Sequence, residues 1–263
     1  MNITVFTSNQ ARHLSLLRDL SKICNKVYAI IEVNTIFPGD NDDFFKKTVI
    51  MKRYFDNVIK AESDFFGQNL FLPENIIPIV IKMGDLKKIQ LNKLELALHS
   101  DHYIVFGSSY IKGDLIKFLI AKRAMNIHMG ISPYYRGSSC NFWASYDGNF
   151  SLVGATVHLI SESLDSGSIL FHAFPKEEDC AFNLGMRSVA AAHKGLVNYI
   201  VKNEINKLVP IDQESFKQIR YTRNRDFTDD IALFYLDNLP TKESISKCLK
   251  NRNIENFINP YIY

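Results

Sequence analysis

The sequence predicts an α/β protein built on a doubly wound, mostly parallel sheet. Three observations predict it. Short runs rich in β-branched and aromatic residues alternate with helical patterns as far as His128. Several of these runs are apolar throughout, as strands buried on both faces are. From Val153 the alternation gives way to two adjacent strands and one long helix.

The elements follow in order. Ile3 to Phe6 is a first strand, followed by polar Thr7 to Gln10 and a helical pattern through Leu14, Leu16, Leu17 and Leu20. Lys26 to Glu32 is a second strand, and the three together make a βαβ unit. Residues 34–44 are turn-rich around Pro38-Gly39-Asp40, and Phe44 to Phe66 is amphipathic, which its mixed i+3/i+4 spacing assigns to core packing. Ile76 to Ile81 reads as a short buried strand starting at or beyond Pro78. A helix near Asn92 to His99 leads to a strand at His102 to Gly107, a helix at Gly113 to Lys122 and a strand at Ala124 to His128. Val153 to Ile160 and Ser168 to Phe174 are strands joined by the polar loop Ser161 to Gly167. Ala181 to Asn203 is a long helix with Met186, Val189, Ala190, His193, Val197 and Ile200 on one stripe. Two helical pieces close the chain, near Asp229 to Asp237 and Glu243 to Leu249. This divides the chain into a main α/β domain, 1–205, and a short C-terminal extension, 206–263. Apolar tail residues such as Phe227, Phe234, Tyr235, Phe257 and Tyr261 either cover the core or form a homodimer contact.

Composition narrows the function. Of 263 residues, 46% are hydrophobic and 22% charged, the balance of a soluble globular protein. With 31 Lys+Arg against 28 Asp+Glu the net charge is only +3, and no basic stretch suggests nucleic acid. No run reaches the roughly 18 apolar residues of a membrane span. Met1 to Thr7 lacks the basic start of a signal peptide, so a cytoplasmic protein is expected. Cys24, Cys140, Cys180 and Cys248 form no CxxC or Cys/His cluster, which argues against structural zinc and a disulfide framework. Neither GxGxxG nor GxxxxGK[ST] occurs, so no glycine-rich phosphate loop is expected.

The informative anomaly is polarity within a strand expected to be buried. Asn126 and His128 alternate with Met125 and Ile127, so both project to one face of a strand end, where open α/β sheets bind ligands. Asp165 sits in a Leu-Asp-Ser-Gly turn between two later strands, within reach of that face. An amide donor, an imidazole and a carboxylate to orient it are the parts that acyl transfer to an amine requires. Spacing alone leaves two alternatives open: His128 as a satisfied core histidine, and Asp165 as a turn former.

The surrounding residues add a family. Asn126-Ile127-His128-Met129-Gly130-Ile131-Ser132-Pro133-Tyr134-Tyr135-Arg136-Gly137 resembles the N-x-H-x-S/G-x-L-P-x-Y-R-G signature of folate-dependent formyltransferases. Thr156 to Ile169 is similar to their second block, T-V-H-x-x-x-E-x-L-D-x-G-x-I, and Trp143 follows the Arg-Gly turn as it does in them. The resemblance covers residues 1 to 205 and is strongest from 100 to 175. It implies a Rossmann-like formyltransferase fold and transfer of a formyl group from N10-formyltetrahydrofolate to an amine, with no metal. Residue by residue, it implies Asn126, His128 and Asp165 as catalytic. It also implies folate binding at Phe106, Gly107, Ser109, Tyr110, Ile111 and Lys112, and at Ser161 and Glu162. Ser108 to Lys112 departs from the commoner aliphatic versions of that segment, and Met129-Gly130 stands where many members have Pro-Ser.

The acceptor follows from length and charge. Glycinamide ribonucleotide formyltransferases usually end soon after the long helix, whereas residues 206–263 follow it here. Methionyl-tRNA formyltransferases carry a larger basic barrel, but from Ile211 onward this chain has eight Lys or Arg against eight Asp or Glu. Phosphate contacts to tRNA need clustered basic side chains. Formyltetrahydrofolate hydrolases add an N-terminal regulatory domain. The sugar N-formyltransferases remain, and Thr7 to His13 resembles their opening. That resemblance implies an acceptor of dTDP- or UDP-linked amino-deoxy sugar type, in surface-polysaccharide (lipopolysaccharide) biosynthesis. Ser8, Asn9, Gln10 and Arg12 stand at a helix N-terminus, a natural anion site, though Ser8 or Asn9 could equally serve as a plain N-cap. Tyr134, Tyr135 and Arg136 either line the acceptor groove or shape the turn. The alternatives are a methionyl-tRNA formyltransferase-like enzyme without the barrel, and a non-catalytic folate or nucleotide-sugar binder.

Overall fold

The structure is a computed structural model that describes residues 1–33, 48–67, 71–178 and 180–263. The turn-rich stretch 34–44 and the first residues of the amphipathic segment lie outside the described residues. The chain runs through β1 (Asn2–Ser8), α1 (Ala11–Ser21), β2 (Lys26–Val33), α2 (Val49–Phe66), β3 (Ile76–Lys82), β4 (His102–Phe106), α3 (Gly113–Ala121) and β5 (Met125–His128). It continues through β6 (Tyr135–Gly137), α4 (Cys140–Tyr146), β7 (Ala155–Leu159), β8 (Ile169–Phe174) and α5 (Ala181–Val201). Beyond α5 come β9 (Arg220–Thr222), α6 (Asp229–Asp237), α7 (Lys242–Lys250) and β10 (Tyr261–Ile262).

Eight strands form one sheet in the order β10-β8-β7-β5-β4-β1-β2-β3. The strands from β5 to β3 across that order are parallel, and β7 then pairs antiparallel to β5 and β8 antiparallel to β7. Each central strand is apolar on both faces because helices cover both. Ile3 and Val5 pack with Leu16, Leu17 and Leu20 of α1 and with Ala192 and Leu196 of α5. Phe6, Ile30 and Val105 face the other way, onto Leu115 and Leu119 of α3.

The helix expected near Asn92 to His99 is present as a 3-10 helix, Leu91–Leu98, and one expectation, the buried strand at Ile76 to Ile81, is corrected. Leu91, Leu94 and Ala97 recur every third residue and pack on one cluster, the repeat a 3-10 turn brings onto one side. The strand Ile76–Lys82 includes Pro78 and is not buried: β3 is the edge of the sheet, and Ile77 and Val80 are exposed. An edge tolerates proline because one side of its ladder needs no donor.

The residues after α5 wrap back over the domain. β9 pairs parallel with β6, and β10 extends the sheet beside β8. α6 packs through an aromatic cluster centred on Tyr54 of α2, whose ring centroid lies between 4.9 and 6.4 Å from those of Phe55, Phe142, Phe182, Phe227 and Tyr235. Tyr235 is buried, whereas Phe234, Ile262 and Tyr263 are exposed. No helix among the described residues is long and apolar enough to cross a membrane. Because Tyr54 joins four segments, Tyr54→Ala should cost about 3–5 kcal/mol in urea unfolding, the usual penalty for deleting a buried ring. Amide exchange in α6 should accelerate with it.

Candidate active site

The strand order reverses at β1 and β4, and the crevice outside the carboxyl ends of such strands is where open α/β sheets bind ligands. A cleft of about 910 Å³ opens there. Its walls come from the segment after β1, the segment after β4, the end of β5 and the loop between β7 and β8.

The antiparallel register of β5 on β7 places Asn126 opposite His158 and His128 opposite Thr156. His158 Nδ1–H donates to the Leu159 carbonyl at 2.8 Å, which leaves Nε2 as an acceptor for the Asn126 amide at 3.0 Å. The same amide nitrogen lies 3.3 Å from Asp165 Oδ1. His128 Nδ1 lies 3.5 Å from Asp165 Oδ2, and His128 Nε2–H points to the Tyr135 carbonyl at 3.3 Å. Both nitrogens of His128 therefore face acceptors, an arrangement that favours the protonated ring once a proton arrives.

Burial opposes that proton. It holds the His128 pKa below the usual histidine value, while the Asp165 carboxylate pulls upward and His158 and Arg136 pull down. Burial alone would raise the Asp165 carboxyl, but His128, His158 and Arg136 outweigh it and hold the group at about 2. Asp165 has φ +48°, a left-handed conformation that Asp tolerates better than most residues. The loop after His128 is fixed from below. Thr156 Oγ1–H donates to the Gly130 carbonyl at 2.7 Å and accepts from the Ser132 N–H at 2.8 Å. The departure at Met129-Gly130 has a steric cause, since a Cβ on Gly130 would lie 2.4 Å from Cys140 Cβ and 2.9 Å from His128 Nε2.

The remaining expected residues divide. Phe106, Gly107, Ser109, Tyr110, Ile111 and Ser161 line the cleft. Lys112 precedes α3 and places its ammonium 4.9 Å from the Tyr110 ring, and Glu162 contributes its carbonyl, which accepts from the Tyr110 hydroxyl at 2.8 Å. Ser8, Gln10 and Arg12 line the opposite wall, and Asn9 is exposed beside them. Neither Ser8 nor Asn9 caps α1: Gln10 is the N-cap residue and makes no side-chain cap bond. Ser8 Oγ instead pairs with His13 Nδ1 at 2.6 Å. Tyr135 turns its ring away from the cleft, and its hydroxyl bonds Asp147 and Asn149. Tyr134 packs beside it, and Arg136 reaches the Leu164 carbonyl at 3.4 Å.

Four further residues, not marked as site residues by the sequence, shape the cleft. Glu32, fully buried at the end of β2, accepts from the Ser109 N–H at 2.5 Å, the Ser109 hydroxyl at 2.7 Å and the Gly84 N–H at 2.7 Å, bracing the segment after β4. Glu62 of α2 accepts from the Arg12 N–H at 2.9 Å and pairs its guanidinium at 2.8 Å, so the N-terminus of α1 already holds a carboxylate. His13 sits so close to Gly107 that a Cβ there would lie 2.2 Å from its Nε2. Asn224 reaches the cleft from the tail. Of the four, only Glu32 carried a signal, a charge at the end of an otherwise apolar strand. Among the described residues no group of three His, Cys, Asp or Glu side chains is placed to hold a metal ion.

Comparison with known proteins bears on this geometry. Residues 92–200 match the sequence profile of the family described as formyl transferase. Over these residues the chain is similar to that family. Over 120 residues it is 30% identical to a methionyl-tRNA formyltransferase from Synechococcus sp., a stretch that is 45% of this chain and 37% of that one. Over 121 residues it is 30% identical to a GDP-perosamine N-formyltransferase from Brucella melitensis, 40% of this chain and 46% of that one. The chain thus spans less than half the length of the curated relatives it matches. An N-formyltransferase from Helicobacter canadensis, solved with folinic acid and dTDP-3-aminofucose, shares the fold at a TM-score of 0.51 and 16% identity. That match covers 87% of this chain and 73% of the other.

The matched residues, 92–200, include Asn126, His128, Asp165 and the segment after β4. Replacing Asp165 by Asn removes the upward pull on His128 and leaves its burial unchanged, so the titration midpoint of His128 should fall, as read from its ring signals by NMR. The carboxyl, at about 2, lies below the ordinary value of roughly 3.9. It therefore stabilises the fold above about pH 4, and that stability is lost as pH falls through 2. Asp165→Asn should flatten the pH dependence of stability in that window.

Proposed function

We propose that this protein transfers a formyl group from N10-formyltetrahydrofolate to the amine of a nucleotide-linked amino-deoxy sugar. The observation that carries the reading is the contact of Asn126, His128 and Asp165 at the strand ends, inside a cleft large enough for two substrates. Apolar Val105, Ile111, Ile116 and Ile160 line part of that cleft and suit a flat ring.

The folate supplies an activated formyl carbon. The acceptor amine attacks that carbon in its neutral form, a C–N bond forms, and negative charge develops on the formyl oxygen. His128 takes up the amine proton, and its imidazolium is received by Asp165 on one side and the Tyr135 carbonyl on the other. The Asn126 hydrogen held only by the longer 3.3 Å contact is available to the oxyanion. Collapse of the adduct breaks the bond to the folate nitrogen, which leaves with the proton.

A sugar acceptor is supported by the Brucella relative, a GDP-perosamine N-formyltransferase, and by the Helicobacter neighbour, solved with dTDP-3-aminofucose. The charge balance of the tail supports it too, with eight Lys or Arg against eight Asp or Glu from Ile211 onward, since tRNA phosphates favour a net basic surface. We place the reaction in the cytoplasm, in surface-polysaccharide biosynthesis, with 206–263 as an extension of the catalytic unit. Incubation with N10-formyltetrahydrofolate and a panel of dTDP-, UDP- and GDP-linked amino sugars should yield one formamido sugar by mass spectrometry. Formylation of methionyl-tRNA with none on the panel would overturn the acceptor. His128→Asn should lower kcat by about 10²–10⁴-fold, the range of a general acid–base.

A further inference from the structure

The chain after α5 reaches the site at one defined place. Ile211 and Ile169 exchange two backbone hydrogen bonds, at 2.9 and 2.7 Å, and the Ser168 hydroxyl donates to Asp212 at 2.6 Å. Next along, the Gln213 amide donates to two carbonyls, that of Asp165 at 2.9 Å and that of Gly167 at 2.8 Å. The two carbonyl partners settle which end of the amide faces them, since only the NH2 group donates. Gln213 Oε1 is buried with no partner among the described residues. A half-satisfied buried amide costs stability, so solvent or packing preference does not explain its placement.

The turn it grips is constrained at both ends. Asp165 is left-handed, and Gly167 passes so close to Leu159 that an added Cβ would lie 1.8 Å from the Leu159 carbonyl oxygen. Within the turn, Ser161 and Ser166 bond each other and the Ser163 carbonyl, contacts that do not reach the backbone of residues 165–167. From outside, Arg136 touches the Leu164 carbonyl at a long 3.4 Å. Gln213 therefore ties together the two carbonyls that flank the bend and fix where the Asp165 carboxylate points.

We propose that Gln213 is a positioning residue for formyl transfer, clasping the turn that carries Asp165 so that its carboxylate stays against His128. The proposal rests on the reading of His128 and Asp165 as the reacting pair, and it assigns a role within that reaction to a residue beyond the long helix. The other charged or titratable groups around His128 are His158 of β7, Arg136 of β6 and the Cys140 thiol of α4, and Gln213 bonds none of them.

The test compares Gln213→Met, which keeps length and loses the donor, with Ser168→Ala, which cuts the neighbouring tie to Asp212. Gln213→Met should lower kcat on the order of 10- to 100-fold, as small displacements of reacting groups do, with the acceptor KM changed less than about twofold. NMR on the ligand-free protein should show the His128 midpoint moving down, because the carboxylate that raises it has drifted away. Ser168→Ala should leave kcat and the midpoint as they are. An unchanged midpoint in Gln213→Met, or the same loss in Ser168→Ala, overturns the proposal. If Gln213→Met fails to fold, Gln213→Leu replaces it, and unfolding of both assigns the residue to fold maintenance and overturns it as well. A wild-type protein that formylates no amine would overturn the reaction, while the midpoint measurement would still decide what Gln213 does to Asp165 and His128.

Discussion

The pairing of β5 against β7 is the constraint on which the site depends. It is the seam where a parallel sheet turns antiparallel, and its register places Asn126 opposite His158 and His128 opposite Thr156. Directly opposed residues in such a pair hold their Cβ atoms about 4.5–5.5 Å apart, so imidazole and amide meet without any loop having to deliver them. A slip of one residue would send every one of these side chains to the opposite face. Apolar Val157 and Ile127 resist that slip, because they would leave the core that α1 and α5 cover. The chemistry inherits its precision from hydrophobic burial.

What this seam cannot supply is Asp165, which comes from the loop beyond β7. Its approach is electrostatically consistent on both sides. His128 and Arg136 stabilise the carboxylate, and the carboxylate in turn offsets part of the desolvation that keeps His128 neutral. In the proposed reaction a neutral imidazole is what proton uptake from an amine requires, and two acceptors already in place spare the reorganisation that water would need after the transfer. The loop following His128 is held to the same standard by Thr156 and by His172. The latter donates to the Ser132 carbonyl at 2.8 Å and accepts from the Ile258 N–H at 3.0 Å. Burial depresses His172 to about 4, so the pairing survives wherever the protein is folded near neutral pH.

The part of this that the sequence makes legible is the part with a local signal. Apolar runs mark β1, β2, β4, β5 and β8, and polar residues inside one such run single out Asn126 and His128. The Leu-Asp-Ser-Gly turn marks Asp165. A segment whose state depends on what it lies against is not legible in this way: Ile76–Lys82 looks buried by composition but is an edge. Residues whose role is a long-range contact carry no local mark at all. Glu62 meets Arg12 across 50 positions, and Gln213 meets Asp165 across 48. The two residues of each pair are brought together by topology, not by spacing.

The same reasoning explains why the tail bears on a site whose key residues all precede it. β9 pairs with β6, whose Tyr135 carbonyl faces His128. Arg220 in β9 makes two hydrogen bonds to Asp147, at 3.0 and 2.6 Å, and Asp147 also receives the Tyr135 hydroxyl. Ile258 supports His172, which supports Ser132, and Gln213 grips the turn at Asp165. Each of these contacts ends on a main-chain group or a ring that shapes the surroundings of one imidazole, and none ends on the reacting atoms. Besides reaching the cleft itself through Asn224, the tail braces the surroundings of the site through these contacts. Its charge balance is free to suit solvent, which is why composition alone gave no hint of where it reaches.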